Sequence, residues 1–280
     1  MTGSGQLKPF EDDEADGLVA YLTALYQGVF TPEAIRSHLA NHVGFGFADY
    51  AVAVTKQALP AGARVLDLGC GFGSYVLAAR EAGLDAIGIE LAPFEIDFAR
   101  SRSRRLRPQD DAERVYRVGD ATRLAEESGS FDGVTLWNVL EHIEDAGSLL
   151  TAVDALLKPG GQIFIVCPNY DAVRDEAHYH VPWTPELSRD RRAARDYLVS
   201  LGRDPAYFES SIHCRTWREV VGLLEGRGYD LFDLSSRRAL SLRLGNLRSI
   251  LADWKGWRAL RNPARHSVEL AALKSGRSRP

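Results

Sequence analysis

Apolar positions in the first sixty residues recur at helical spacing. Leu18, Leu22 and Leu25 share one face of a predicted helix over 15–27. Thr31 followed by Pro32 reads as a cap and a first helical position, which predicts a second helix over 31–43. A third is expected over 48–59. From residue 63 the pattern changes to short apolar runs alternating with amphipathic stretches. The runs at 63–69, 85–91, 114–121, 131–138 and 162–168 predict strands. Helices are expected between them at 74–82, 93–104 and 147–157, and the glycines of "PGG" (159–161) predict a turn.

Residues 169–215 break this rhythm with "HYHVPWTPE" and an arginine-rich stretch that reads as one helix over 185–202. The alternation resumes with a helix at 216–227 and a strand at 229–235. A helical stretch follows at roughly 240–260, then a last strand at 266–274. Strands alternating with helices predict an α/β fold. It is a Rossmann-like, doubly wound, mainly parallel seven-stranded sheet with a helical N-terminal section and an insert after strand 5. The expected division is a helical section over 1–58 with its first ~12 residues disordered, a nucleotide-binding core over 59–168, a substrate cover over 169–215, and the rest of the core over 216–280. Ligands of such sheets bind at the carboxyl ends of the strands.

Composition changes this picture little. A chain of 280 residues with 34 Lys and Arg against 38 Asp and Glu has a net charge of −4, which gives no global reason to expect nucleic acid. The end is basic, with eleven Lys or Arg and two acids from Arg237 onward, which reads as a solvated surface with a loose tail or, as the alternative, a site for an anionic partner. Cys70, Cys167 and Cys214 lack paired metal spacing. Met1 is followed by polar residues, and no apolar run approaches the roughly 20 residues that span a bilayer, so a cytoplasmic protein without membrane contact is expected.

The candidate chemistry begins at "VLDLGCGFGS" (65–74). Gly69, Gly71 and Gly73 allow positive φ and close approach of a ligand. The third glycine of a dinucleotide fingerprint would fall at Ser74, where it is absent. Glu90 ends the second strand and can accept both hydroxyls of a ribose. Asp120 can accept from an adenine amino group or cap a short helix at 122–125. Asp67 can hold the loop or meet a ligand ammonium; beside a pyrophosphate it would be repulsive. An adenosine carrying a cationic amino acid satisfies all three acids.

With "GIEL", "GDA", "FDGVTLWNVLEHI" and "LLKPGGQIFIVCPN" following in order, residues 62–170 resemble the class I S-adenosylmethionine-dependent methyltransferases. The resemblance implies S-adenosylmethionine as cofactor, with Gly69, Gly71 and Gly73 as its turn and Glu90 on its ribose. It places Asp120 at the adenine, Leu91 and Ala121 against the ring, and Asn138 near the methionine end. Lys158 keeps a structural role in the "KPGG" turn.

A sulfonium is already activated, so the remaining needs are in-line alignment, exclusion of water and a base for the acceptor's proton. Of seven histidines, His142 follows the fourth strand, and His178 and His180 follow the fifth. His142 and His180 are the candidate catalytic pair, and Tyr170, Tyr179 and Trp183 a candidate aromatic wall. Arg189, Arg191, Arg192 and Arg195 form either a solvated face or an anion grip. Some relatives, quinone-pathway O-methyltransferases and small-RNA 3′-end methyltransferases, bind a divalent metal through E-x-x-E-H. Here Glu141, His142 and His180 are similar to that pattern, but Asn138 replaces the first acid, which weakens a hard-cation site and makes a metal the lesser expectation. The reading is O-methylation of a small molecule, sugar-bearing or aromatic. The alternatives are a metal-assisted RNA 2′-O-methyltransferase and an S-adenosylmethionine-binding protein without turnover. An NAD oxidoreductase is disfavoured by Ser74 and Asp67.

Overall fold

A computed structural model describes residues 8–26, 29–120, 128–234 and 265–274. The chain divides into two units, Met1–Ala121 with Tyr197–Tyr207, and Thr122–Asp196 with Phe208–Pro280. The described strands include a seven-stranded sheet and a separate two-stranded ribbon.

In the first unit, helices α1 (Ala15–Leu25), α2 (Pro32–Val43) and α3 (Gly46–Ala58) precede β1 (Arg64–Leu68), α4 (Ser74–Glu81), β2 (Asp85–Glu90) and α5 (Pro93–Leu106). Thr31 caps α2 as expected, its hydroxyl accepting the Ala34 N–H at 3.2 Å. β1 and β2 pair in parallel, Leu66 opposite Ile87. The run expected as a strand over 114–121 is divided. Asp111 accepts the N–H groups of Glu113 and Arg114 and starts a short helix, α6 (Ala112–Val115), leaving β3 as Tyr116–Val118. Residues 8–12, within the stretch expected to be disordered, are held by Lys8 against Glu11 and by the Glu11 N–H on the Glu14 carboxylate at 2.6 Å. Leu18, Val19 and Leu22 of α1 pack with Ile35, Leu39 and Val43 of α2 around Phe72 and Phe98, so the N-terminal helices and the glycine turn share one core.

In the second unit, β4 (Phe131–Trp137) leads through a 3-10 turn at Leu140–His142 to α7 (Ala146–Leu156) and β5 (Leu157–Pro168). The "PGG" expected as a turn lies inside β5. Gly160 has φ +79°, and the β4–β5 register shifts between Phe131 and Gly133, so the chain bulges there without leaving the ladder. After β5 come a two-stranded ribbon of β6 (Arg174–Asp175) and β7 (Pro182–Trp183), then α8 (Pro185–Arg189), α9 (Arg191–Ser200) and α10 (Ala206–Ser211), of which Tyr197–Tyr207 count with the first unit. The single arginine-rich helix expected over 185–202 is broken because Asp190 turns its carboxylate onto the N–H groups of Arg192 and Ala193, capping a new helix. α11 (Trp217–Gly226), β8 (Tyr229–Asp233) and β9 (Ser267–Lys274) complete the unit. β9 is antiparallel to both β5 and β8, and the strand order of the seven-stranded sheet is β3-β2-β1-β4-β5-β9-β8. The helices expected at 122–125 and 240–260 lie outside the described residues. Among the described residues no helix is long and apolar enough to cross a membrane.

Candidate active site

The glycine turn closes as its sequence requires. Gly69, Gly71 and Gly73 have φ of +69°, +51° and +74°. The N–H groups of Gly69 and Cys70 bind the Ile89 carbonyl at 2.8 and 3.1 Å, which ties the turn to the end of β2. At Gly73 a Cβ would lie 2.5 Å from the Tyr116 ring and 2.8 Å from Ala99, so packing demands glycine as much as φ does. Asp67 is buried at the end of β1.

Glu90 meets this turn directly. Its Oε2 accepts the Gly71 N–H at 3.2 Å, and its Oε1 accepts those of Leu91 and Ala92 at 2.6 and 3.2 Å. A carboxylate held this way has a fixed orientation, with three of its about four lone-pair sites taken and one on Oε2 left for a ribose hydroxyl. Leu91 is 63% exposed beside it, an apolar face open to a ring. Asp120 is half-buried just past β3. Ala121 lies outside the described residues.

Three residues near the turn carry signals that sequence reasoning missed. Glu95, in the first turn of α5, accepts the Tyr21 hydroxyl at 2.9 Å. Tyr21 stacks on Phe94 at 4.3 Å and meets Phe72 edge-on at 6.1 Å. Burial, then the charge of Glu90, pushes the Glu95 carboxyl up to about 7, although the Tyr21 bond pulls it down. Arg102 is 1% exposed and has no carboxylate partner among the described residues. Its guanidinium donates to the carbonyls of Phe72, Val43 (2.6 Å) and Pro9 (3.3 Å) and to Ser74 Oγ (2.9 Å). It lies over the rings of Phe45 and Phe98, and burial draws its pKa down to about 10.

The second unit holds a separate group. Asn138 follows β4 with φ +55°, exposed, its N–H on the Val166 carbonyl at 2.7 Å. The 3-10 turn that follows is pinned by Arg215, which donates to the carbonyls of Leu140, Ile143 and Glu144. This turn presents Glu141 and His142. It is His178, not His180, that the structure sets beside His142, with ring centroids 5.0 Å apart. His180 is exposed at φ +51°, and its N–H closes a turn on the Glu176 carbonyl at 2.9 Å. The structure thus brings His142 together with His178, where the expected juxtaposition was with His180. The cause is Glu176, fully buried, which accepts the His178 N–H and the Tyr179 N–H at 2.7 Å each, His178 Nδ1 at 3.0 Å and the Tyr170 hydroxyl at 2.6 Å.

These bonds define the rings. His142 Nδ1 lies 2.8 Å from the Ser211 carbonyl, which can only accept, so Nδ1 carries the proton and Nε2 the lone pair. A carboxylate on His178 Nδ1 fixes the same tautomer. Burial, then His178, pushes His142 down to about 4, so its ring is neutral near pH 7. Glu141 is 1% exposed, neither of its carboxylate oxygens has a hydrogen-bond partner among the described residues, and burial lifts it to about 7. One donor atom each from Glu141, His142 and His178 lie within 4.8 Å of one another. Such a set can move a proton or hold a divalent cation, with Glu176 supporting His178 from behind.

The remaining candidates are structural. Tyr170, Tyr179 and Trp183 are wholly buried, so they form the insert's own core and not a ligand wall. The Trp183 indole N–H donates to Ser188 Oγ at 2.9 Å, and the Tyr179 hydroxyl accepts the Phe208 N–H at 3.0 Å. Arg191 donates to the carbonyls of Phe208, Glu209 and Ile212 around the end of α10; Arg189 pairs with Asp171 and Arg195 with Glu209.

Comparison with known proteins agrees with this architecture. Residues 43–234 match the model of a family described as a methyltransferase domain. A ubiquinone biosynthesis O-methyltransferase of Xanthomonas axonopodis pv. citri (strain 306) is 42% identical over 117 residues, 41% of this chain and 47% of that protein. A protein of the same description from Xanthomonas campestris pv. campestris (strain B100) is 43% identical over 122 residues, 43% of this chain and 48% of that one. The chain therefore spans about half the length of the curated relatives it matches. Phosphoethanolamine N-methyltransferase 2 of Haemonchus contortus, solved with S-adenosylmethionine, superposes with a TM-score of 0.53 at 20% identity, over 93% of this chain and 57% of that one, and shares the fold. With the family model covering well over half of its residues, and the sheet order and glycine turn described above, the chain belongs to the class I S-adenosylmethionine-dependent methyltransferases.

Proposed function

We propose that this chain transfers the methyl group of S-adenosylmethionine to an oxygen of a small-molecule acceptor, sugar-bearing or aromatic. The observation that carries the cofactor half is the Glu90 carboxylate fastened to the Gly71 N–H, because it aims an acid at the place where a ribose meets a bare turn. In this reading Glu90 takes a ribose hydroxyl, and Gly69, Gly71 and Gly73 give backbone access. Asp67 balances the cationic amino-acid end and Asp120 the adenine, with Leu91 on its face and Asn138 toward the methionine end.

The oxygen acceptor is supported by the names of the Xanthomonas relatives and by the chemistry of the second unit. A hydroxyl must lose a proton as it is methylated, and a neutral imidazole with its Nε2 lone pair can take it. His142 fills that role, and His178, oriented by Glu176, stands next to it to share the charge. In this reading residues 169–215 serve as the acceptor cover.

A second reading is favoured by the orphaned Glu141 carboxylate. Glu141, His142 and His178 fit a divalent cation, which when bound polarises a hydroxyl and lowers its pKa. The test is S-adenosylhomocysteine formation with a panel of phenols, sugars and a short RNA, before and after chelation. Turnover of phenols or sugars supports the proposal. Loss on chelation with recovery in added metal selects the second reading. Exclusive turnover of RNA, or none with any acceptor, overturns the small-molecule assignment.

A further inference from the structure

Glu90 and Glu95 bear on the same residue of the turn. Glu90 Oε2 holds the Gly71 N–H, and a Cβ added at Gly71 would lie 3.3 Å from Glu95 Oε2. Among the described residues neither carboxylate has an ion pair with Lys or Arg. The groups facing Glu95 are all neutral or acidic. They are Glu90 at the end of β2, Tyr21 of α1 and Tyr26 just past its end, and Cys70 of the glycine turn. Two carboxylates so close, half-buried and without a cation, repel each other.

Methyl donor and spent product differ in one respect that this arrangement can sense. Both carry an ammonium, a carboxylate and a ribose. The donor adds a sulfonium charge one carbon from the ribose ring; the product has a neutral thioether there. We propose that Glu95 sets the preference of this chain for the charged methyl donor over the neutral thioether product, the sulfonium offsetting the Glu90–Glu95 repulsion that the thioether leaves in place. The inference rests on the cofactor assignment made above. With the donor bound, Glu95 gives its proton to solvent. Once the methyl group and its positive charge have left sulfur, Glu95 takes a proton back and the product is held less tightly. Its elevated pKa puts this exchange near neutral pH.

The test is calorimetry of S-adenosylmethionine and S-adenosylhomocysteine binding at pH 7, in two buffers of different ionisation enthalpy. The wild type is expected to release more proton with the donor than with the product, and its donor affinity to rise from pH 6 to pH 8 while product affinity stays level. E95Q keeps an acceptor for Tyr21 but not the charge. It is expected to lose both differences and about tenfold of the donor preference, the scale of one partly screened charge at this range. E95D keeps the charge and should keep the preference, which guards against a misfolded E95Q. Equal proton counts for the two ligands, or equal weakening of both by E95Q, overturns the inference. Failure of the folded wild type to bind either ligand instead overturns the cofactor assignment.

Discussion

Glu90 and Gly71, nineteen residues apart, are joined by a 3.2 Å hydrogen bond from the glycine N–H to the acid's Oε2. One side chain at the end of β2 thereby fixes both its own direction and the course of the turn after β1.

Glu90→Ala is accordingly expected to weaken S-adenosylmethionine binding by about 10- to 100-fold, the scale of one hydrogen bond to a charged group. Calorimetric titration checks it. Affinity equal to the wild type contradicts the ribose assignment.

His178→Ala is expected to lower the transfer rate by about 10- to 100-fold with cofactor affinity unchanged. Glu176→Gln should follow it in the same direction, since it weakens the bond that orients His178. His180→Ala should cost less than either. Single-turnover rates measured beside the cofactor Kd decide. A larger loss from His180→Ala than from His178→Ala contradicts the grouping.

Arg102→Ala is expected to destabilise the fold by about 2–4 kcal/mol, because it strands the Phe72 carbonyl in the core and leaves that of Val43 with only the Ser74 hydroxyl at 3.1 Å. Urea unfolding measures this. A change within about 0.5 kcal/mol shows that water replaces the guanidinium without penalty.

Glu95 gives a pH dependence of stability in the ligand-free protein. Its carboxyl is raised from 4.5 to about 7, so between those values the native state binds more protons than the unfolded state. The corresponding stability is fully present below 4.5 and is lost as pH rises through 7. Glu95→Gln should therefore match the wild type near pH 4.5 and exceed it by about 1–3 kcal/mol at pH 8. Denaturant midpoints at the two pH values check the sign.

The parts of the fold that depend on neighbours in sequence were readable. Alternating apolar runs announced β1, β2, β4, β8 and β9, and glycines at 69, 71 and 73 announced a turn that only positive φ can make. Asp190 was a readable break that arginine content obscured, since a short acid inside a helix prefers to cap a new one. The parts set by distant contacts were not readable. Tyr21 reaches Glu95 across 74 residues, and Arg102 reaches Val43 across 59. His178 and His180 are two residues apart with similar surroundings in sequence. The choice between them is made by the buried carboxylate of Glu176, which no periodicity marks.

The guanidinium of Arg102 also ties together the life histories of separate stretches of chain. It draws carbonyls from Pro9 and Val43, ahead of the first strand, onto the same cation as Phe72 in the glycine turn. Proteolytic trimming or an amino-terminal fusion that displaces the leading helices would strip this cation of the Pro9 and Val43 carbonyls and leave it only those of the turn and Ser74. Shortened versions prepared for crystallisation or library display need the stretch from Pro9 onward to keep the nucleotide pocket in working order.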